Sequence, residues 1–495
     1  QGVTKVDFAL KSDTEIEAVV VEGTLGNYVK HEGILKGETI SFAGLCKMAC
    51  CNLAESFENS ASVTVGYSDA ISGARQIKML GLTGTYTQIL DENRPIMRGL
   101  SAPYGLNYTP GMWLNSIQVS KGISSVTAGH EAITGQINME HRKPSDEERL
   151  FLNLYFDSEM RPEINISSAF PLTADKSLST VILAHGSLDT QSHDRNHDGF
   201  RDLPKTNQIN IANKWLWQSL GGTQIRWGWK YVDENRLGGQ TEYKKSMREE
   251  MEQSLSTYGS HMDNTGVNAY FKLGTPVGAA VYDSETEEEY RSNIAFVADY
   301  NYFKEDAYFG LNDYNGHDHA WWFNFSYAHY FSPRSSLIVG ASASITNSDE
   351  KILNNVVLAD KERWSGMTHN KMNYVEPGVF AEYTFTKPDK FSFVLGLRGD
   401  WMGAKNIDRA YVTGNGEYNN YNTAYYTPKE RFVLTPRTHI RWDITPSTVL
   451  RGSAGLGYRR ASIFTDNIWM LATGRMPLTK GLTDDIEMAL TAGGS

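Results

Sequence analysis

Three cysteines stand close together in the chain, at positions 46, 50 and 51, and no others occur. A helix would place the thiols of Cys46 and Cys50 on one face, because residues four apart are neighbours on a helix surface. Thiolates beside a thioether, here that of Met48, are ligands that suit Cu(I). Burial as small packing residues is the ordinary fate of free cysteines and is the alternative. The segment therefore offers a candidate soft-metal site at Cys46 and Cys50.

A second stretch with metal-ligand spacing is DRNHDGFRD, residues 194–202. Its D-x-N-x-D-G order bends side-chain oxygens around one hard cation, as in calcium loops. No glutamate stands at the twelfth position, and an acidic turn rich in Asx hydrogen bonds accounts for the same residues. The pattern predicts a weak Ca²⁺ site in a loop, with no cofactor required elsewhere. Its four candidate ligands are Asp194, Asn196, Asp198 and Asp202.

Other kinds of chemistry are disfavoured by motif and composition. The chain has no G-x-S-x-G, H-E-x-x-H or phosphate-loop pattern, so no catalytic set emerges and we expect no enzyme. A net charge of −11 argues against nucleic acid as a partner. No apolar run approaches the ~20 residues of a transmembrane helix. The chain begins with Gln1, which suggests a removed signal peptide or an internal fragment.

From about residue 149 onward the sequence alternates with period 2. In TQIRWGWKYV (223–232) apolar Ile225, Trp227, Trp229 and Tyr231 alternate with Arg226, Gly228 and Lys230. Period 2 predicts β-strands, whose successive side chains point to opposite faces. The second face carries charges in mid-strand, as a water-filled lumen permits.

The predicted strands are joined by short and long connections in turn. Short turns on one side and long loops on the other are typical of an outer-membrane β-barrel. A soluble sandwich or propeller would give similar alternation but fits the one-sided loops poorly. His317–His319 is predicted to stand at a hairpin tip. The predicted short connections are 173–177, 219–222, 332–336, 387–390 and 445–448, and the long ones are 188–207, 238–266, 347–373 and 405–428.

Before the barrel stands VSKGISSVTAGHEAITGQIN, residues 119–138, which reads as strand, glycine turn and strand. This segment resembles the end of the plug domain of TonB-dependent outer-membrane receptors. The stretches 44–65, 93–110 and 450–467 also resemble that family, as its early plug helix, its apical segment and a late barrel strand. The residues that match the plug motif are Lys121, Gly122, Ser125, Gly129, Ala132, Ile133, Gly135, Ile137 and Asn138.

The resemblance implies a mostly β fold, with an N-terminal α+β plug inside a large antiparallel transmembrane barrel of the 22-stranded type. Strand-like sequence ends near Asn467, after about thirteen strands, and 481–495 look like no closing strand, so we expect a partial barrel. The predicted domains are 1–24 (the end of a carboxypeptidase-regulatory-like domain, as in Bacteroidetes, with a TonB box), 25–147 (plug) and 148–495 (barrel).

The segment EIEAVVVEGT, residues 15–24, looks like a TonB box. Its β-branched valines pair easily as an added strand. The last strand of a small domain ending near Leu10 is the alternative. The predicted box residues are Glu17, Ala18, Val19, Val20 and Val21.

As a function, the resemblance implies import of a scarce ligand into the periplasm of a Gram-negative bacterium. The ligand would be a metal ion or chelate, such as a ferric siderophore, haem, cobalamin or copper. Expected partners are outer-membrane lipid and TonB with its inner-membrane energising complex, which would reach the plug from the periplasm. A passive porin or adhesin barrel without energy coupling is the alternative. Within the apical segment the expected ligand contacts are Met97, Arg98, Tyr104 and Tyr108.

Overall fold

The computed structural model describes residues 27–29, 34, 37–47, 52–58, 60–145, 148–254, 257–284, 287–357, 363–388, 390–414, 421–426, 430–445, 447–462, 464–467, 469–473 and 486–495. The predicted TonB box at 17–21 lies outside these residues, as do Cys50 and Cys51.

The N-terminal part, which we call the plug, is built on a six-stranded mixed sheet of order β1-β2-β8-β9-β6-β7, beside a three-stranded sheet β3-β4-β5. One short helix, α1 (Phe42–Lys47), follows the second strand. The plug strands are β1 (Asn27–Val29), β2 (Gly37–Ser41), β3 (Thr64–Tyr67), β4 (Arg75–Met79), β5 (Leu82–Thr83), β6 (Thr87–Asp91), β7 (Arg94–Pro95), β8 (Leu114–Lys121) and β9 (Gly135–His141).

The strand–turn–strand unit predicted from 119–138 is confirmed, because β8 and β9 pair antiparallel, with Val119 opposite Ile137. Alternate residues of this pair are fully buried: Ile117 and Val119 on β8, and Ile137 and Met139 on β9. Apolar side chains at every second position drive this face of the sheet out of water and onto the plug core.

The remainder of the chain forms one antiparallel sheet of fifteen strands, which we call the wall. Fourteen strands follow one another in chain order, and β21 pairs with β20 off this path. Two helices, α2 (Arg248–Ser254) and α3 (Trp469–Ala472), lie in its connections. The wall strands are β10 (Phe151–Phe156), β11 (Pro162–Pro171), β12 (Leu178–Asp189), β13 (Lys205–Gln218), β14 (Gln224–Gly239), β15 (Gly259–Tyr282), β16 (Glu289–Phe309), β17 (Asn312–Ser332), β18 (Ser335–Val357), β19 (Arg363–Lys387), β20 (Phe391–Gly414), β21 (Tyr421–Tyr426), β22 (Arg431–Thr445), β23 (Thr448–Arg460) and β24 (Ile486–Gly494).

The predicted alternation of the wall is confirmed. On β20, Leu397 is 54% exposed on the outer face, whereas its neighbour Arg398 is 3% exposed on the inner face. On β13 and β14 the outward Trp215 and Trp227 rings stack with centroids 5.8 Å apart. An outer face that exposes large apolar side chains suits lipid, and a polar inner face suits water or a folded insert. Among the described residues, no helix is both long and apolar enough to cross a membrane.

The connections 219–223, 333–334 and 388–390 are short and fall at one end of the wall, which we call the turn end, whereas the two-residue turn 310–311 between β16 and β17 lies at the other end. The opposite end is the loop end. Long loops are present there at 190–204 and 240–258.

The predicted loop 347–373 was wrong, because β18 and β19 pair continuously up to Val357 opposite Arg363. The predicted loop 405–428 was also too long, since β20 continues to Gly414 and pairs with β21. The polar ends of these strands extend beyond the part of the wall whose outward side chains are apolar. Their backbone groups still form the hydrogen bonds of the sheet, which composition alone does not reveal.

Two further expectations were wrong. His317–His319 lies within β17 rather than at a hairpin tip, because the chain turns at 310–311, where Gly310 has φ +58°. Strand-like sequence is predicted to end near Asn467, but the segment 486–494 forms β24 and pairs antiparallel with β23. Among the described residues, the end strands β10 and β24 do not pair with each other.

Candidate functional site

The plug is held against the inner face of the wall largely through its backbone. Arg437 of β22 donates to the carbonyls of Ser124 (3.1 Å), Ser125 (3.0 Å) and His130 (3.0 Å). Asn324 of β17 donates to the carbonyl of Thr127 at 2.9 Å. Buried backbone acceptors need partners, and the wall side chains supply them here. The 119–138 segment is therefore one of the surfaces by which the plug docks on the wall.

Within this segment Ser125 has two roles. Its Oγ accepts a hydrogen bond from Thr127 N (3.2 Å), which begins the 3₁₀ turn Val126–Ala128. The same Oγ donates to Glu382 of β19 at 2.8 Å, and Val126 N donates to that carboxylate at 3.1 Å. The motif serine thus links plug and wall.

The motif glycines stand where the backbone requires them. Gly122 (φ +81°) and Gly129 (φ +125°) adopt conformations that side chains with a Cβ rarely take. Gly135 is extended, but a Cβ there would lie 2.0 Å from Met79 Sδ and 2.5 Å from the carbonyl oxygen of Ser120.

The other motif residues fix neighbouring parts of the plug. Lys121 Nζ donates to the carbonyl of Ala61 at 3.2 Å, and Ala132 is fully buried. Asn138 Oδ1 accepts from Asn93 N at 2.9 Å. Asn138 thereby holds the tip of the β6–β7 hairpin.

A cavity lies between plug residues 95–108 and the inner face of β14–β18. Aromatic and charged groups share its lining, a mixture that orients a small ligand as well as burying it. The described lining includes Met97, Arg98 and Tyr108 from the plug, and Lys230, Asp318 and Trp322 from the wall.

Three of the four predicted ligand contacts meet at this cavity. Met97 has φ +54°, unusual for a residue with a Cβ, and its side chain lies against Gly105. Arg98 Nε donates to Glu131 at 2.8 Å; burial acts to raise the pKa of that carboxyl, but Arg98, His130 and Arg459 together outweigh burial and the pKa falls. Tyr108 donates to Glu234 of β14 at 2.7 Å.

Tyr104, the fourth predicted contact, lies apart from the cavity. It is fully buried, and its hydroxyl donates to Glu305 of β16 at 3.2 Å. The guanidinium of Arg236 stands 4.8 Å from its ring centroid. Burial, and next the carboxylate of Glu305, raise the pKa of Tyr104, which keeps its hydroxyl a donor. The ligand role of all four residues stays a prediction.

In the acidic loop between β12 and β13, the predicted calcium ligands already accept hydrogen bonds from their own backbone. Asp194 accepts from Asp198 N (3.1 Å) and Gly199 N (2.9 Å), and Asp202 accepts from Arg195 N at 3.0 Å. Asn196 donates to Asp198 at 2.9 Å. This is the Asx-turn geometry of the alternative interpretation, and calcium binding stays a prediction.

Cys46 stands at the end of α1, exposed and not in a disulfide. Its predicted partner Cys50 lies outside the described residues. In the part of the chain that the structure describes, no group of three or more His, Cys, Asp or Glu side chains could hold a metal ion. The soft-metal site therefore stays a prediction.

The sequence analysis did not single out the β6–β7 hairpin tip, Asp91–Arg94, which we call the finger. Arg94 is fully buried; it donates to Asp91 at 2.7 Å and forms an ion pair with Asp299 of β16. Its guanidinium lies 3.8 Å from the ring centroid of Tyr270, a cation–π contact. The signal that could have found it is the DENRP run, four polar residues between apolar ones.

Glu92 of the finger points its carboxylate at basic wall residues. Its Oε1 lies 3.7 Å from Lys214 Nζ, and its carbonyl accepts from Lys272 at 2.7 Å. Burial acts to raise the pKa of Glu92, and so does the charge of Asp91, but Lys214, His141 and Lys272 together outweigh both effects. The pKa of Glu92 is lowered to about 2.

This lowered pKa predicts that plug docking weakens in acid. A carboxyl with a lower pKa in the folded state stabilises it fully above its ordinary pKa of 4.5, and the contribution is lost as the pH falls towards 2. We expect the urea midpoint of plug release to fall between pH 5 and pH 3, and to fall less in Glu92→Gln. Equal falls in the two proteins would contradict the assignment to Glu92.

The family model described as "TonB dependent receptor-like, beta-barrel" matches residues 183–478. A search of curated proteins finds no match to this chain.

The solved structures that share the fold include the following three. FpvA of P. aeruginosa, bound to pyoverdines, is 12% identical with a TM-score of 0.64, over 92% of this chain and 65% of its own. The siderophore receptor PiuA from Acinetobacter baumannii is 11% identical with a TM-score of 0.64, over 95% of this chain and 72% of its own. The copper transporter OprC is 12% identical with a TM-score of 0.62, over 89% of this chain and 66% of its own. This chain thus spans less than two thirds of FpvA.

Proposed function

This chain belongs to the TonB-dependent receptor family, since the barrel model of that family matches more than half of it, and we propose that it imports a scarce metal-containing ligand across the outer membrane. The observation that carries the proposal is the folded plug docked on the polar inner face of the wall. A passive pore has no use for a lumen filled by a folded sheet. Energy is needed to move such a plug, and TonB is the proposed source.

For the ligand, we propose an iron chelate or a metal ion that enters from the loop end. The cavity beside Met97, Arg98 and Tyr108 would receive it first. The similar solved structures are receptors for pyoverdine and other siderophores and a copper transporter, which supports this class of ligand. The mixed cationic and aromatic lining suits an anionic chelate with aromatic or carbonyl groups.

Coupling to TonB would act through residues 17–21, paired as an added strand. An added strand is held by its backbone hydrogen bonds, so the backbone matters more than the side chains. We expect Val20→Pro, which removes an N–H, to abolish uptake of iron-55 chelates by cells while leaving their binding at the cell surface unchanged.

The matched control is Val20→Ala, which keeps the N–H and should retain most of the uptake. Deletion of Glu17–Val21 should behave as Val20→Pro does. Uptake that survives the deletion would overturn the TonB mechanism. A stable open conductance of the intact protein in planar bilayers would favour the passive pore instead.

A further inference from the structure

Four basic side chains cluster on the inner face of β13, β14 and β15: Lys214, Arg226, Lys230 and Lys272. Arg226 stands directly opposite Lys272 in the ladder, and Lys214 stands opposite Gly228, midway between Arg226 and Lys230. Residues two apart on a strand share a face, so Arg226, Lys230 and Lys272 lie on the same face as Tyr270, and Lys214 Nζ stands 5.8 Å from the Tyr270 ring centroid. We call them the basic patch.

Within the basic patch Arg226 donates to Gln224 of its own strand at 3.1 Å, but the three lysines are poorly satisfied by the wall itself. Lys214 is 7% exposed, and its Nζ has no hydrogen-bond partner among the described residues. Lys230 donates only a long bond, 3.4 Å, to Thr109 of the plug. Buried or half-buried ammonium groups need anionic partners, since desolvation of an unpaired charge is costly.

The plug supplies those anions from a strained turn. Glu92 and Asn93 have φ of +49° and +65°, the signs of a type I′ turn, for which Asn-Gly is the favoured sequence. A residue with a Cβ rarely adopts this left-handed conformation, so a glutamate here is strained. The strained backbone puts the Glu92 carboxylate 3.7 Å from Lys214, while Asp91 contacts Arg94 and His141.

The charges do not balance. Leaving His141 aside, the finger and the wall groups that it faces, the basic patch and Asp299, hold five basic and three acidic side chains. If the finger is withdrawn, the four basic groups of the patch remain against Asp299 alone. A cationic surface bounded by low-dielectric walls concentrates anions.

We infer that the basic patch is a second binding site, for an anionic small molecule on its way through the lumen, and that the finger occupies it while the plug is at rest. This inference rests on the proposed import function. Asp91 and Lys230 both line the cavity beside Met97, Arg98 and Tyr108. A ligand bound there therefore already touches the edge of the patch, and withdrawal of Asp91 and Glu92 opens the patch to it.

The test measures the ion selectivity of the lumen once the plug is released. The protein is reconstituted in a planar bilayer, urea is added on the turn side to release the plug, and the reversal potential is read in a KCl gradient. We expect the triple variant Lys214→Gln, Lys230→Gln, Lys272→Gln to lower the chloride-to-potassium permeability ratio about threefold or more.

A matched control removes the same charge elsewhere. Lys176, Lys351 and Lys371 are exposed, in a turn or on the outer face, and their combined replacement by glutamine should leave the ratio unchanged. An unchanged ratio in the patch variant, or an equal fall in the control, would overturn the inference. Energy-dependent uptake is measured separately in cells. An unchanged permeability ratio in the patch variant would therefore contradict the second binding site without contradicting the TonB mechanism.

Discussion

Arg94→Ala is expected to weaken plug docking by roughly 3–5 kcal/mol, the cost of removing one partner from a buried ion pair. The side chain is 1% exposed and neutralises both Asp91 and Asp299. Without it, two carboxylates face each other in the lumen with their nearest shared cation gone. The measurement is the urea concentration at which the plug releases, followed by protease cleavage of the plug.

The matched test is the pair of variants Asp299→Ala and Arg94→Ala/Asp299→Ala. The double variant leaves less uncompensated charge than either single variant. Its loss of docking free energy should therefore be smaller than the sum of the losses in the two single variants. Arg94→Lys should be intermediate, because an ammonium keeps the charge but loses the fork that reaches both carboxylates. Strictly additive losses would show that the pair does not act as a unit.

Gly135→Ala is expected to destabilise the plug by about 1–3 kcal/mol or more, by overpacking. The added Cβ would lie 2.5 Å from the carbonyl oxygen of Ser120, a backbone atom of the neighbouring strand that cannot move without breaking the β8–β9 pairing. Met79 Sδ, at 2.0 Å, would also have to shift. Thermal melting of the plug, followed by protease sensitivity, is the measurement.

The control for this substitution is Gly66→Ala in β3, where nothing lies within 4 Å of the added Cβ. That variant should be as stable as the natural protein or slightly more so, because alanine has fewer unfolded conformations to lose. Equal melting of the two variants would refute the argument from close packing.

Much of the fold could be predicted from sequence because its signals are local. Strand alternation follows from the pleat, so Trp229 facing outward and Lys230 facing inward could be predicted from neighbouring letters alone. The glycines at 122 and 129 mark positions of positive φ, which is also a local property. Membership of a plugged-barrel family followed from such patterns.

The limits of the wall strands needed the structure. The pairing that carries β18 and β19 to Val357 and Arg363 is a property of two chain segments together, and neither segment is apolar enough to reveal it. The same holds for β24, whose partner β23 provides its hydrogen bonds. The residue types of a strand that is stabilised mainly by its neighbour give only a weak indication that it is a strand.

Part of the candidate site could likewise be predicted from the sequence, and part needed the structure. The apical segment 93–110 and the mid-strand charges of the wall were visible in the sequence. The pairing of Arg94 with a carboxylate 205 residues away was not, nor was the approach of Glu92 to Lys214. Sequence determines that charges must line the lumen, because one strand face is polar. Only the docking of the plug decides which charges meet, because contacts between distant segments depend on how both are placed in space.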